Sequence, residues 1–274
     1  MLALILALAL QDEIVKESDH ELAPDAVVTV RTVVGRVRLR GTDKKSAHVR
    51  TVKRGRDREI VEIKVEADKE RLTIEAKFPD RRNNIEVEIE IDVDVPRTAK
   101  GLAADVVSGS IEVKDARGDA KLTTVSGPVR VDGLRGDLTA VTVSGDVRIA
   151  GLVAAKASIT LTSGTLEGAA EVRDLEVTSV SGRASFDVTP KGDAWSVKAS
   201  CISGDLSLRF PAKSGAKVDL KTLSGDLRSE LELTDTKRSG KWDIDRSLRG
   251  TFGDGAGTVR ASTISGDVKI AAIK

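Results

Sequence analysis

Apolar and polar residues alternate along most of the chain, and the alternation is interrupted again and again at a Ser-Gly pair. In the stretch LTAVTVSGDVRI at residues 138–149, small or aliphatic side chains occupy every second position before Ser144 and resume at Val147 and Ile149. A period of two in Val, Ile, Leu and Thr is typical of half-buried β-strands. The pattern therefore predicts two strands joined at Ser-Gly, and the adjacent pair Thr142 and Val143, which is out of step, predicts a local change of face.

The Ser-Gly element recurs eight times in the second two-thirds of the chain. Its glycines are Gly109, Gly127, Gly145, Gly164, Gly182, Gly204, Gly225 and Gly266. Their spacings are 18, 18, 19, 18, 22, 21 and 41 residues, the last being roughly two periods with an insertion. Repeats of this length indicate a solenoid, because one strand pair alone cannot bury its apolar face and must stack on its neighbours. Glycine permits a backbone angle or a close approach that a Cβ would forbid, so each Ser-Gly is interpreted as a structural corner.

Two parts of the chain depart from the repeat. Residues 11–99 carry more charge and longer alternating runs, which predict strands in VVTVRTVVGRVRLRG, meeting at Gly35, and in EIVEIKVEA, RLTIEAKF and NIEVEIEIDVDVP. This part is expected to be a cap or the first irregular coils of a solenoid that occupies residues 100–274. A second irregularity at residues 229–258 accounts for the doubled spacing, and its Trp242 and Phe252 are expected to make side-wall or cap contacts.

The first ten residues, MLALILALAL, form an apolar run that is too short to span a membrane and has the length of a signal-peptide core. Ala7 and Ala9 offer a small-x-small cleavage pattern, although the usual basic residues before the apolar run are missing. The run predicts export to the periplasm, the cell surface or the medium. No second apolar run in the sequence is long enough to be a transmembrane segment of the mature chain.

Composition argues against several classes of function. Aromatic residues make up 2% of the chain, and 44 basic residues balance 43 acidic ones, for a net charge of +1. A nucleic-acid partner is not expected, because its phosphates would require a basic face that the sequence does not show. The acidic series Glu86, Glu88, Glu90, Asp92 and Asp94 alternates with apolar residues and is interpreted as the solvated face of a strand.

The chain has few residues suited to catalysis or metal binding. Cys201 is the only cysteine, so no disulfide can form within the chain, and its position two before a Ser matches Thr124 or Thr222 in other repeats. It is interpreted as a buried member of a ladder of small residues. His20 and His48 are too few and too far apart in sequence to predict a metal cluster or a His-dependent triad. No cofactor is predicted.

Four repeats carry an aspartate directly after Ser-Gly, at Asp146, Asp205, Asp226 and Asp267. These carboxylates could bind Ca²⁺ between coils or serve a polysaccharide-cleaving solenoid. Calcium needs more oxygen ligands than one aspartate per coil supplies, and glycoside hydrolysis needs two carboxylates in a cleft. A turn residue that accepts hydrogen bonds from nearby backbone N–H groups is the simpler interpretation.

The order of these parts resembles the DUF4097 family of bacterial candidate adhesins. The matching pieces are the G-x-V-x-L-x-G element at residues 35–41, VDVP at residues 93–96, the serial S-G-D-[VIL]-x-[VIL] copies, and a Gly-rich segment before the last copy. Asp is absent after Gly in four copies, and Gly168 stands where an aliphatic residue is expected. The resemblance implies a parallel β-helix, or β-solenoid, on an exported bacterial protein, without catalytic residues.

Taken together, the sequence predicts an all-β solenoid that is not an enzyme and acts as an adhesin-like or cell-envelope binding scaffold. Its partner would be a protein or an envelope polymer. A second hypothesis is a structural module that self-assembles in the envelope, so that the chain could form an oligomer. An uncapped end of the C-terminal coil at residues 270–274 would favour this hypothesis. A third is a carbohydrate-active β-helix enzyme, which would need carboxylates or an Arg/Lys pair clustered in one lateral groove.

Overall fold

The computed structural model describes residues 13–79, 85–239 and 246–273, and this part of the chain consists of strands, turns and loops. The predicted all-β fold is confirmed. The strands are, in chain order, β1 (Glu13–Glu21), β2 (Val27–Thr42), β3 (Ser46–Arg54), β4 (Glu62–Ala67), β5 (Arg71–Lys77), β6 (Glu88–Pro96), β7 (Gly101–Lys114), β8 (Asp119–Ser126), β9 (Val129–Asp132), β10 (Leu138–Ser144), β11 (Val147–Ser163), β12 (Leu166–Ser181), β13 (Ala184–Pro190), β14 (Ser196–Ser203), β15 (Leu206–Phe210), β16 (Ala216–Ser224), β17 (Leu227–Ser229), β18 (Thr234–Arg238), β19 (Arg246–Phe252), β20 (Gly257–Ser265) and β21 (Val268–Ala272). The described residues contain no helix that could span a membrane.

The strands stack as coils, and each coil pairs in parallel with the coils on either side. A coil has a long segment before its corner and a shorter segment after it. Before the corner, the spatial order is β5, β2, β7, β8, β10, β11, β12, β14, β20 and β16. After the corner, it is β6, β2, β7, β9, β11, β12, β13, β15, β21 and β17. Equivalent positions therefore form rows along the solenoid, about 4.8 Å apart from coil to coil.

The spatial order of the coils differs from their order in the sequence at both ends. Strand β2 comes first among the coils in sequence, yet it lies between the outer pair β5 and β6 and the following coil β7. At the other end β20 and β21, the last strands in the chain, lie between β14/β15 and β16/β17. The last Ser-Gly copy is therefore an internal coil, and the copy at Gly225 is the outermost one. The interval of 41 residues before Gly266 contains the path back into the stack.

Antiparallel strands cover the ends of the stack. At the N-terminal end β3 pairs with β6, β1 pairs with β3, and β4 pairs with β5. At the C-terminal end β19 pairs with β16, and β18 pairs with β19. The outer strands β1, β4 and β18 carry many charged residues and few buried ones. Charged edge strands resist pairing with other chains, so the charge on these strands protects the ends of the solenoid from open-ended stacking.

The core is a continuous column of small aliphatic side chains between the segments of each coil. Two local features depart from this uniform packing. Gly168 leaves space that the ring of Phe186 in the next coil occupies, so the missing aliphatic residue is compensated by a neighbour. Near the C-terminal end the rings of Trp195, Phe210 and Phe252 stack with centroid distances of 5.5 and 5.7 Å. This aromatic cluster closes the core at the coil where β19 covers β16.

Several predicted elements differ in detail from the observed ones. Strand β2 runs without a break through Gly35, whose φ is +107°, because both of its halves pair with β7. The predicted strand EIVEIKVEA is shorter than expected, since β4 begins only at Glu62. Strand β1 was not among the predicted strands. The signal-peptide prediction at residues 1–10 and the predicted role of Trp242 fall outside the described residues.

Candidate interaction surface

The Ser-Gly corners form one unbroken column along the solenoid. A Cβ on each corner glycine would lie within 3.0 Å of the backbone carbonyl oxygen of the preceding corner glycine, except that at Gly35, which follows Val34 in place of Ser, it would meet the carbonyl oxygen of Ile89. The column runs through Gly35, Gly109, Gly127, Gly145, Gly164, Gly182, Gly204, Gly266 and Gly225. We number these nine coils 1 to 9 in that order. Glycine is needed at these positions because the backbones of neighbouring coils touch where another residue would place its side chain.

The residues two positions before each corner Ser point into the core. Thr124, Thr142 and Thr222 are 1% exposed, and Cys201 occupies the same row at 5%. The hydroxyl of Thr222 donates to the carbonyl oxygen of Gly266 at 3.1 Å, and that of Thr263 donates to Gly204 at 3.3 Å. Burial raises the pKa of the Cys201 thiol, which keeps it in the unreactive protonated form. Thr222 and Thr263 thus tie their coils to neighbouring corners, and Cys201 is too buried to be an accessible nucleophile.

The aspartates after Ser-Gly bind the backbone of neighbouring coils. Asp146 accepts a hydrogen bond from the N–H of Thr165 at 3.0 Å. Asp205 accepts from the N–H of Asp267 at 3.1 Å, and Asp267 accepts from the N–H of Asp226 at 2.8 Å. In each case the carboxylate satisfies the backbone donor at the equivalent position one coil further along. The structure therefore gives three of these four aspartates the role of a link between coils.

A row of exposed aliphatic side chains lies one position before each corner Ser. We call this row the ridge. Its aliphatic members are 41–52% exposed, although the residues immediately before them are buried. In coil order the ridge consists of Val33, Val107, Val125, Val143, Thr162, Val180, Ile202, Ile264 and Leu223.

The ridge follows the whole length of the stack in strict register. The pairs Thr142–Leu161 and Ser144–Ser163, for example, hold Val143 beside Thr162 on neighbouring coils. With about 4.8 Å between coils, nine positions extend over about 38 Å. Eight half-exposed aliphatic side chains together present an apolar surface on the order of several hundred Å², the range in which contiguous patches mark interaction sites.

The model of the family Toastrack DUF4097 matches residues 24–271, which is nearly the whole described solenoid. The chain belongs to the Toastrack DUF4097 family.

Solved structures from Bacteroides and Parabacteroides are similar to this Toastrack chain at low identity. A candidate adhesin from Bacteroides fragilis is 14% identical with a TM-score of 0.43, covering 95% of this chain and 97% of its own. A candidate adhesin from Parabacteroides merdae is 10% identical with a TM-score of 0.41, covering 95% and 96%. A candidate lipid-binding protein from Parabacteroides distasonis is 10% identical with a TM-score of 0.33, covering 96% and 98%. A search of curated proteins found no match.

The charged faces of the Toastrack solenoid pair internally near the N-terminal end. Across four neighbouring strands, Arg54 binds Glu13 at 2.9 Å and Glu90 at 2.7 Å, and Arg36 binds Glu90 at 3.0 Å. Burial alone would raise the pKa of Glu90, but the hydrogen bonds from Arg54 and Arg36 hold it below its ordinary value. Asp92 and Asp94 pair with Arg38 and Arg40 in the same way. Glu90, Asp92 and Asp94 of the acidic series are thus in ion pairs within the chain.

A polar groove of about 660 Å³ lies at the C-terminal end. Its carboxylates are in ion pairs: Asp226 contacts Arg228 at 3.0 Å and Arg246 at 3.4 Å, and Glu230 contacts Lys269. No aromatic side chain is among the described residues that line the groove. The groove thus gathers carboxylates and Arg/Lys side chains, the clustering named for the enzyme hypothesis, but the carboxylates are held in ion pairs.

Within the described ranges, no group of three or more His, Cys, Asp or Glu side chains is placed to hold a metal ion. His48 contacts Asp19 at 2.9 Å, and His20 contacts the hydroxyl of Ser18 at 2.8 Å. Both histidines belong to the β1–β3 cap.

Sequence reasoning identified the corner row but did not identify the ridge. Its signal was the out-of-step pair before each Ser, because the second residue of that pair faces solvent.

Proposed function

We propose that this chain is a non-enzymatic binding scaffold of the bacterial cell envelope or surface, and that the ridge is its interaction surface. The observation that carries the proposal is the exposure of the ridge: eight aliphatic side chains at one repeat position stay 41–52% exposed while their neighbours are buried. A solvent-facing strand position does not need an aliphatic residue for folding. Repetition of aliphatic residues there through the stack indicates a partner with an extended apolar face.

The rest of the surface supports this choice. The charged rows near the N-terminal end pair within the chain, the three linking aspartates bind backbone, and the one thiol is buried. Export through the predicted signal at residues 1–10 would place the scaffold outside the cytoplasm, where a rigid solenoid can present a long contact surface. Fractionation of producing cells tests this location, since a cytoplasmic chain would contradict the envelope role.

The direct test is site-specific photo-cross-linking in producing cells. A benzoylphenylalanine at position 143 places the reactive ketone on the ridge. The matched control carries it at position 139, which is exposed on the same strand β10 but outside the ridge. We expect covalent adducts from position 143 and few from position 139.

Adducts from position 139 but not from position 143 would place the interaction surface on the solvent-facing side of the strands that precede the corners. No adducts from either position would contradict a binding role for this region. Circular dichroism of both variants checks that the solenoid is intact.

A further inference from the structure

We propose that the partner of the ridge is a second copy of this chain, docked ridge to ridge with the two solenoid axes antiparallel and Thr162 on the two-fold axis. This inference rests on the proposed function, because it names the partner of the same surface. It goes beyond that function by fixing the symmetry and the register of the contact. Three features of the ridge carry it.

The first feature is the position of the one polar member. Thr162 is the fifth of nine ridge positions, with four aliphatic residues on either side. An antiparallel two-fold contact places position 5 opposite position 5 and every aliphatic residue opposite another. A slip by one coil would place both copies of Thr162 against aliphatic residues. A single polar residue in an apolar seam specifies register in this way, at a small cost in affinity.

The second feature is the distribution of side-chain size along the ridge. Coils 1 to 4 carry only valine, whereas coils 6 to 9 carry valine, two isoleucines and a leucine. The antiparallel arrangement pairs Val33 with Leu223, Val107 with Ile264 and Val125 with Ile202. Valine thus faces a larger residue in three of the four kinds of aliphatic pair, and in the fourth Val143 faces Val180. A parallel arrangement would place valines together at one end and the larger residues together at the other, and the gap between the copies would taper.

The third feature is the charge of the row two positions after each corner Ser. In the antiparallel arrangement Arg36 of coil 1 lies on the same side as Asp226 of coil 9, and Asp146 of coil 4 lies on the same side as Arg183 of coil 6. Both pairs combine opposite charges and occur twice by symmetry. They would add to the ion pairs that Arg36, Asp226 and Arg183 already make within the chain. A two-fold axis along the ridge would instead bring Arg36 near Arg31 at coil 1, which is repulsive, and Asp226 near Lys221 at coil 9, which is attractive.

The opposite flank is less favourable at its ends. There Arg31 of coil 1 faces Lys221 of coil 9. Arg31 is already paired with Asp105 at 3.5 Å, which reduces the repulsion. The charge rows therefore favour the antiparallel arrangement through one flank.

The size of the seam sets the expected strength of the contact. A seam about 38 Å long and about one strand spacing wide on either side of the ridge buries on the order of 1,000 Å² in total, near the lower limit for a specific interface. We therefore expect a dissociation constant in the micromolar range. Such a dimer forms readily where copies are concentrated, as at an envelope.

Cysteine cross-linking with a short bismaleimide tests the register. The variant Thr162→Cys places its thiol opposite itself in the dimer. In the single variants Val107→Cys and Ile264→Cys the two identical thiols of the dimer lie six coils, about 29 Å, apart along the ridge. In the double variant V107C/I264C each thiol at position 107 lies opposite the partner's thiol at position 264. We expect T162C and the double variant to form covalent dimers about tenfold faster than either single variant, because only they raise the effective thiol concentration across the seam. The wild-type chain is the control, since its Cys201 is buried.

Equal dimer yields from all three single variants would overturn the antiparallel arrangement in favour of a parallel one. Dimer yields from T162C no higher than from the wild type, measured at about a hundred micromolar chain, would overturn self-association. The outcome is separable from failure of the proposed function. If photo-cross-linking at position 143 yields adducts with a different protein while T162C does not dimerise, the ridge is a binding surface and only the choice of partner is wrong.

Discussion

Replacing Gly204 with alanine tests the idea that backbone contact between coils dictates the Ser-Gly corner. The φ angle of Gly204 is +142°, and a Cβ there would collide with the carbonyl oxygen of Gly182 in the neighbouring coil. The matched control is Gly192→Ala. Gly192 also has a positive φ, +85°, but a Cβ there would meet no atom within 4 Å.

The structure separates two contributions to the cost of the substitution. A positive φ for a residue with a Cβ costs about 1–3 kcal/mol at either position. At Gly204 the overlap with backbone atoms adds about 1–3 kcal/mol, because the coils must move apart or the corner must distort. We therefore expect the free energy of unfolding to fall by about 2–6 kcal/mol in G204A and by about 1–3 kcal/mol in G192A, with G204A the larger loss by about 1–3 kcal/mol.

Urea denaturation followed by tryptophan fluorescence measures both values. Trp195 is buried near the affected coils and reports their unfolding. The stability change is taken from the shift in the urea midpoint. It is valid when the slope m of free energy against urea concentration is unchanged, because a change in m would indicate a change in the surface exposed on unfolding. Equal costs in G204A and G192A, within about 0.5 kcal/mol, would refute the claim that contact between coils selects glycine at this corner.

Three further outcomes follow from the same structure. Asp146→Asn keeps an oxygen that can accept from the N–H of Thr165 and should leave the melting temperature nearly unchanged, whereas Asp146→Ala should cost about 1 kcal/mol of stability. Equal effects of the two substitutions would exclude the backbone link. The Cys201 thiol should react with a chromogenic disulfide reagent only as fast as the chain unfolds, and rapid reaction in the native state would contradict its burial. Because the folded-state pKa of Glu90 is lowered, its ion pairs with Arg54 and Arg36 should stabilise the fold above about pH 4.3 and lose this effect as the pH falls through the lowered value. Glu90→Gln should flatten that part of the acid-unfolding curve, and an unchanged curve would argue against the pairing.

The repeating part of the fold could be predicted from sequence because one physical constraint acts at every coil. Each corner needs a glycine where neighbouring backbones touch, and each segment needs alternation to bury one face, so both leave a visible period. The interval of 41 residues before Gly266 also showed where the period fails. It did not show that the last coil returns to an internal place, because the identical corners of Gly204, Gly225 and Gly266 make all orders of stacking equally compatible with the pattern.

The ridge could be recognised only once burial was known. In the sequence Val143 and Thr142 look alike as members of an out-of-step pair, and either could face the core. The structure buries Thr142 at 1% exposure and leaves Val143 at 46%, because the backbone turns at the corner immediately after them. A polar residue inside and an aliphatic one outside reverses the usual assignment, and a single sequence gives no reason for that reversal.

The central claim is that the ridge serves binding and not folding. It is tested most directly by measuring unfolding and photo-cross-linking in one variant, Val125→Thr with Val180→Thr, with the benzoylphenylalanine at position 143. Threonine keeps the shape and strand preference of valine and removes its apolar character. The account predicts an unfolding free energy within about 1 kcal/mol of the unsubstituted ridge and a loss of most adducts. A large loss of stability with adducts retained would show that the ridge belongs to the fold and that binding occurs elsewhere.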